Sequence, residues 1–407
     1  KLPASVEALK PILLIPLLFA AAILVGALIL SLPFATSSGR AAPILTALFT
    51  STSAVAVTGL IVETTPVYWS PFGQTVILIL FQIGGFGIMT AATLFGLMVG
   101  RGFGVRDHVT TQVERSRLAT GDVPSVLRLV LAITLVVEAV VAIILAARFA
   151  FSYDMSFPAA LWHGLFHSVS AFNNAGFSSF SDSMMGYQAD PVILGPIALS
   201  VVLTALGFPV MQDIRANRLH WRRWALHSKV TVAGTAFLLA SGFAAILFME
   251  WSNPATLGPM AVGTKMLNAA FHSVMPRTAG FNSLNMGGMH DETIMANYLL
   301  MFIGGGSAGT AGGIKVTTFF VLFAVVLSEI LGRRDTGLFQ RRFKGEVQRQ
   351  ALSVTVLGAS LIFVATTYIA SISPLPLDDI LFECISAFST VGLSTGITAD
   401  LPPMALF

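Results

Sequence analysis

Phe166-His167-Ser168-Val169-Ser170-Ala171-Phe172-Asn173-Asn174-Ala175-Gly176-Phe177 decides the fold, because parts of it recur along the chain. Phe271-His272-Ser273-Val274 repeats its first four residues, and Ala279-Gly280-Phe281 repeats Ala175-Gly176-Phe177. Ser386-Ala387-Phe388 repeats Ser170-Ala171-Phe172, and in both copies a glycine follows four residues after the phenylalanine, at Gly176 and Gly392. The remaining copy runs from Phe49 to Val57-Thr58-Gly59-Leu60, with the same ten-residue interval from Phe to Gly as the second and fourth copies; the third is one residue shorter. Gly59, Gly176, Gly280 and Gly392 lie 117, 104 and 112 residues apart. Self-similarity at so regular a spacing means four copies of one structural unit in one polypeptide.

Composition says where that unit lives. The 407 residues are 55% hydrophobic and 11% charged, whereas a soluble chain carries roughly 25% charged residues to cover its surface. The exterior therefore faces lipid. Seven apolar stretches approach or exceed the roughly 20 residues that cross a bilayer: Pro11 to Leu32, Val76 to Val99, Leu127 to Ala147, Pro191 to Val210, Val230 to Phe248, Tyr298 to Leu331 and Ala351 to Ala370. The first runs beyond a signal-peptide core and lacks a small-residue cleavage site, so it reads as retained. Each repeated glycine instead ends a helix-compatible segment of about 10–14 residues, too short to cross, which must dip in and return. Irregular backbone at membrane depth is tolerated only where protein buries it or water lines it. Four such loops imply a shared central axis. The expected fold is an all-α integral membrane protein of four pseudo-repeats, each a span, a short pore helix with its loop, and a second span. The repeats divide as 1–100, 101–215, 216–332 and 333–407, with pore loops at about 43–62, 158–178, 262–282 and 377–394. The fourth is half present and both ends read as clipped, so an eighth span is expected beyond Phe407.

Charge orients the chain. Arg101, Arg106, Arg115, Arg117 and Arg128 follow the second span, Arg215, Arg218, Arg222, Arg223 and Lys229 the fourth, and Arg333, Arg334, Arg341, Arg342, Lys344 and Arg349 the sixth; Lys1 and Lys10 precede the first. Acids such as Glu63, Asp154, Asp182, Asp190, Asp291 and Asp378 occupy the alternate connections. Lys and Arg accumulate on cytoplasmic loops, which predicts a cytoplasmic N-terminus and an acid-rich outer face in the cell membrane. The same regularity explains the basic loops without nucleic acid as a partner. The lone cysteine, Cys384, excludes a disulfide framework and any multi-cysteine metal site.

The loops suit a cation. A dehydrated ion needs its water shell replaced by oxygen dipoles, which a ring of four backbone segments supplies through carbonyls. Glycine reaches backbone angles closed to other residues and lets chains approach closely. The loops lack carboxylates, so selection falls to carbonyl dipoles, helped by the negative C-terminal ends of the pore helices. Val57-Thr58-Gly59-Leu60, Asn174-Ala175-Gly176-Phe177, Arg277-Thr278-Ala279-Gly280-Phe281 and Thr390-Val391-Gly392-Leu393, in this order, resemble the Trk/Ktr/HKT superfamily of K⁺ and Na⁺ transporters, and most closely its Ktr-type, KtrB-like membrane subunits. The resemblance covers the whole chain. It implies that Val57, Thr58, Gly59, Asn174, Ala175, Gly176, Thr278, Ala279, Gly280, Thr390, Val391 and Gly392 form a K⁺ filter. Na⁺-preferring members carry serine at the first glycine; here it is Gly59, which favours K⁺ as the transported ion and leaves Na⁺ open as an activating ion. The resemblance further implies a homodimer served by a cytosolic nucleotide-binding regulatory ring of the KtrA type. A sodium-selective or mixed carrier of the same superfamily, or a secondary symporter, is the alternative. No nucleophile–base pair or in-membrane metal cluster suggests an enzyme.

Within the sixth span, Gly304-Gly305-Gly306-Ser307-Ala308-Gly309-Thr310-Ala311-Gly312-Gly313 places six glycines in ten residues. At roughly 1 kcal/mol per glycine relative to alanine, the helix should open into a loop. A phosphate-binding loop is excluded, since Gly313-Ile314-Lys315-Val316 lacks the adjacent Gly-Lys and following hydroxyl. The resemblance implies a mobile intramembrane gate here, with Lys315 repelling cations or anchoring the loop; close helix packing is the competing use of small residues. His163 and His167 stand four apart, a spacing open to a metal, yet lack further ligands nearby. Superposing the copies puts Thr50, His167, His272 and Glu383 at one position, which suggests hydrogen bonding behind the filter. Arg277, three residues before Gly280, requires a partner, and Glu383 is the expected one, so both are read as filter support. Glu138, within a span, reads as a partnered structural acid, with proton or Na⁺ coupling as the other option.

Overall fold

The structure is a computed structural model and describes residues 4–100, 123–218, 220–332, 337–339 and 341–406. Arg101, Arg106, Arg115, Arg117, Arg333 and Arg334, on which part of the charge argument rests, lie outside the described residues, as does Lys1.

The apolar stretches and the short segments between them all form helices. The first repeat has α1 (Ala4–Leu30), the pore helix α2 (Ile44–Val55) and α3 (Pro71–Gly100). The second has α4 (Val123–Ser152), the pore helix α5 (Phe157–Asn173) and α6 (Pro191–Leu206), which continues after a break as α7 (Phe208–Asn217). The third has α8 (Leu226–Glu250), the pore helix α9 (Val262–Val274), α10 (Asp291–Phe302) and α11 (Val316–Ile330). The fourth has α12 (Gly345–Ile372) and the pore helix α13 (Leu377–Phe388). The basic connection before α12 carries a two-residue antiparallel pairing of Gly337–Leu338 with Arg341–Arg342.

Two expectations need correction. The pore helix α5 has 17 residues, more than the 10–14 expected. The fourth span does not run unbroken from Pro191 to Val210: the chain turns by 91° between Leu206 and Phe208. Gly207 takes φ +86° at the break, a conformation that L side chains avoid, and Pro209 enters the next helix in its first turn, where its missing N–H costs nothing.

The repeats associate in sequence order. The second span of each packs on the pore helix of the next: α3 on α5, α6 on α9 and α10 on α13. One apolar cluster at each junction shows why. Phe166, Ala175 and Phe177 of the second repeat join Trp69, Ile77 and Phe81 of the first. Phe271, Ala279 and Phe281 of the third join Phe149 and Ile197 of the second, and Phe382, Val391 and Leu393 of the fourth join Leu284 and Met301 of the third. The large residue after the glycine therefore anchors the second, third and fourth loops in the preceding repeat. On the outside, Ile143, Leu357 and Phe363 are 67%, 71% and 72% exposed. Apolar exposure on this scale fits a protein solvated by lipid chains. The chain is thus a multi-pass membrane protein.

At one end, Asp190 caps α6. Its carboxylate accepts from the Val192 N–H at 2.9 Å, from Arg148 Nε at 2.7 Å and from the Tyr153 hydroxyl at 3.1 Å. Burial alone would raise its carboxyl; the hydrogen bonds from Arg148, Val192 and Tyr153 outweigh it and hold the carboxyl below the ordinary carboxylate range.

Candidate functional site

The four glycines meet. A Cβ built on Gly59 would lie 2.4 Å from the Ala175 carbonyl oxygen, one on Gly176 2.7 Å from that of Ala279, one on Gly280 2.1 Å from that of Val391, and one on Gly392 2.4 Å from that of Thr58. Each contact is with the residue preceding the next repeat's glycine, and the fourth returns to the first, so the loops close a ring. One cavity of about 170 Å³ is lined by all four glycines with Ser178, Asp182, Asn282 and Ser394.

The backbone repeats a pattern within the ring. In every loop the glycine and the residue two before it have positive φ: Val57 +56° and Gly59 +87°, Asn174 +58° and Gly176 +71°, Thr278 +117° and Gly280 +63°, Thr390 +47° and Gly392 +88°. The residue between stays at negative φ. Such alternation breaks the regular reversal of an extended strand, in which successive groups point to opposite faces. For β-branched Val57, Thr278 and Thr390 these angles cost on the order of 1–3 kcal/mol each, and such strain collects at functional sites.

Serines brace the loops. Ser53 Oγ donates to the Leu60 carbonyl at 2.7 Å and Ser170 Oγ to that of Phe177 at 2.8 Å, while Ser386 Oγ accepts from the Gly392 N–H at 3.1 Å. The same serines' carbonyls accept from the N–H of Thr58, Ala175 and Val391 at 2.8, 2.8 and 2.9 Å. Each serine stands six before its glycine, a regularity in the repeat whose purpose was not drawn from sequence. In the third loop a 3-10 turn, Met275–Arg277, takes over, and the Met275 carbonyl accepts from Ala279 and Gly280. Pro276 cannot donate to a continuing helix, and the turn falls in the copy that is one residue shorter.

Behind the ring, three of the four residues at the position shared by the copies, His167, His272 and Glu383, show side-chain hydrogen bonds, and Thr50 is buried. His167 Nε2 pairs with Ser178 Oγ at 2.9 Å, His272 Nε2 with Asn297 Oδ1 at 3.0 Å, and Glu383 accepts from Ser394 and from Thr398 Oγ1, the latter at 2.8 Å. His163 pairs with Ser179 at 2.7 Å. No cluster of metal-ligating residues occurs among the described residues. Glu138 is held by amides: Gln82 Nε2 and Asn173 Nδ2 each donate to it at 3.3 Å, and Asn173 also donates to Gln82 Oε1.

The expected Arg277–Glu383 pair does not form. Glu383 is satisfied by two hydroxyls, and buried Arg277 donates through Nη2 to the Gly304 carbonyl at 3.0 Å, with Thr235 Oγ1 at 3.5 Å. A helix break supplies a free carbonyl at this place, and a guanidinium accepts that dipole as its partner.

The glycine-rich segment opens into a loop as composition predicts. Helix α10 ends at Phe302 and α11 begins at Val316; the neck is closed by Gly304 N–H to Ile314 O, Ile314 N–H to Phe302 O and Val316 N–H to Gly305 O, each 3.0 Å. The loop lies between the ring and the broken fourth span. Gly306 N–H donates to Ala205 O at 2.6 Å and Phe208 N–H to Ala308 O at 3.2 Å. A Cβ on Gly207 would be 2.2 Å from Ser307 O, and one on Gly312 would be 2.2 Å from both Ser389 O and Thr390 Oγ1. Lys315 Nζ donates to the Ala311 carbonyl, bracing the loop on itself. Sequence reasoning missed Asn174 and Thr204 as loop contacts: Asn174 Nδ2 donates to Thr310 Oγ1 at 2.8 Å, and Thr204 Oγ1 donates to Asn174 Oδ1 at 3.2 Å.

Apolar spans, with short helices between them that end in a closed ring of loops, define a multi-pass, mostly helical membrane protein. The family model of TrkH, described as a cation transport protein, matches residues 21–407, and the chain belongs to that family. It is 38% identical over 379 residues to Ktr system potassium uptake protein B of Bacillus subtilis, covering 93% of this chain and 84% of the relative. It is 34% identical to the protein of the same name from Vibrio alginolyticus, covering 95% and 85%, and 32% identical to the potassium/sodium uptake protein NtpJ of Enterococcus hirae, covering 97% and 87%. The crystal structure of the potassium transporter TrkH from Vibrio parahaemolyticus superposes with a TM-score of 0.74 at 17% identity, over 98% of this chain and 80% of that one, which bears on the fold alone.

Proposed function

We propose that the chain is the K⁺-conducting membrane subunit of a potassium uptake system, with Thr58, Ala175, Ala279 and Val391 and their neighbours presenting carbonyls to the ion. The observation that carries this reading is the ring: four glycines, one per repeat, each without room for a side chain against the next repeat's carbonyl, around one cavity. Carbonyl dipoles replace water around a monovalent cation without fixed charge. The ion moves down its gradient and no covalent chemistry is involved. The loop from Gly304 to Gly313 is the gate beneath the filter. In this reading the N-terminus is cytoplasmic, the subunit works as a homodimer and a cytosolic nucleotide-binding ring regulates it; the names of relatives as parts of a Ktr system support a multi-component assembly.

The test is competitive uptake of K⁺ and Na⁺ into proteoliposomes by the wild type and Gly59→Ser. A side chain at Gly59 must displace the Ala175 carbonyl and adopt an unfavourable φ, so the variant should lose much of its preference for K⁺. A wild-type Na⁺ flux insensitive to added K⁺ would sink the assignment. It would instead support a second reading, a mixed carrier, which the potassium/sodium name of the relative NtpJ favours.

A further inference from the structure

We propose that Thr310 of the intramembrane loop and Asn174 of the second filter loop form a latch, so that closure of the gate and the shape of the filter are one coupled equilibrium. The proposal rests on reading the ring as filter and the loop as gate. Asn174 makes this contact through Nδ2, which donates to Thr310 Oγ1 at 2.8 Å, while Oδ1 lies 3.2 Å from Thr204 Oγ1 of α6, three residues before the break at Gly207, a hydroxyl also in reach of the Ser200 and Val201 carbonyls. Asn174, Thr204 and Thr310 are 0%, 1% and 2% exposed. A second tie runs from the third filter loop, where Arg277 donates to the Gly304 carbonyl at 3.0 Å, and Gly312 sits against Ser389 and Thr390 of the fourth. Three of the four filter loops thus touch the segment that must move.

A local explanation exists for Asn174 alone, since asparagine tolerates the left-handed backbone better than most residues. It does not account for Thr310, a hydroxyl buried among glycines and alanines that finds its hydrogen-bond partner across 136 residues of sequence. Opening the loop separates Thr310 from Asn174 and Gly304 from Arg277. The second and third filter loops then each lose a side-chain anchor, and by thermodynamic reciprocity whatever steadies the filter also favours the closed loop.

The experiment uses the full chain in proteoliposomes and measures ⁸⁶Rb⁺ uptake and its inhibition by Na⁺. Thr310→Val removes the hydroxyl at nearly constant shape and lies outside the ring; Thr310→Ser restores it. Thr310→Val should raise uptake about fivefold, the worth of one neutral hydrogen bond in a two-state equilibrium, and should increase inhibition by Na⁺. Thr310→Ser should behave as the wild type. Unchanged uptake, or raised uptake with unchanged Na⁺ inhibition, overturns the coupling. Should Thr310→Val fail to insert, Thr310→Ala carries the same expectation. A deletion within Gly305–Gly312 separates this proposal from the reading beneath it. If the deletion raises uptake and Thr310→Val does not, the gate stands and the latch falls. If the deletion leaves uptake unchanged, the gate reading fails and takes the latch with it.

Discussion

Asp190 and Arg277 show two ways in which a charged side chain is accommodated at and below the membrane surface. Asp190 gathers a guanidinium, a phenol and a backbone N–H at the start of α6. Because its carboxyl is held below the ordinary range, it contributes stability above the unfolded carboxylate pKa of about 4, and that contribution is lost as pH falls through the lowered value. Thermal unfolding in detergent should show the wild type losing stability below about pH 4. Asp190→Asn keeps a capping oxygen but loses the charge paired with Arg148, so it should start lower, by about 1 kcal/mol, and change less over the same range; equal slopes would remove Asp190 from the acid response. Arg277 takes a carbonyl instead of an acid. The sequence announces that a buried cation needs a partner, but a dipole freed by a helix break twenty-seven residues away has no signature of its own. The glycines were legible because they occur four times. The Asn174–Thr310 contact was not, because it occurs once.

At the scale of elements, helices lie on all seven apolar stretches and on the short segments between them, with the fourth bent and the sixth interrupted between Phe302 and Val316. The 91° break in the fourth span was missed because Leu206-Gly207-Phe208-Pro209 keeps the run apolar, and hydropathy cannot distinguish a straight helix from a bent one. Its position is explained by what it meets: Gly207 gives way to Ser307 of the glycine-rich loop. The two broken elements are fitted to each other, the Ala205 carbonyl accepting from Gly306 and the Ala308 carbonyl from Phe208. Gly207→Ala should therefore push the loop from its seat. Uptake of ⁸⁶Rb⁺ should rise, and the unfolding free energy should fall by roughly 1–3 kcal/mol for a strained residue at positive φ. Lowered uptake in a stably inserted variant would argue that the break serves packing alone.

At the scale of the whole molecule, order along the chain and order around the ring coincide, and each junction is sealed by the residue that follows a glycine: Phe177, Phe281 and Leu393 pack into the preceding repeat. The repeat period made this arrangement readable in advance; the direction in which each loop leans was not, since it depends on which neighbour offers an apolar slot. If a cytosolic ring drives the gate, flux from inside-out vesicles should increase when nucleotide-loaded regulator is added and remain low without it; flux indifferent to the regulator would leave the loop without that drive. The uneven contacts of the glycine-rich loop have a further consequence. A pore assembled from four identical chains repeats every residue four times, and four buried guanidinium groups around one axis would expel the cation they surround. On the proposed reading of the loop as gate, joining the quadrants in one polypeptide lets a single quadrant bear Arg277 and the segment it holds, so that one lever, free to vary while the other three stay fixed, would regulate a passage to which all four contribute.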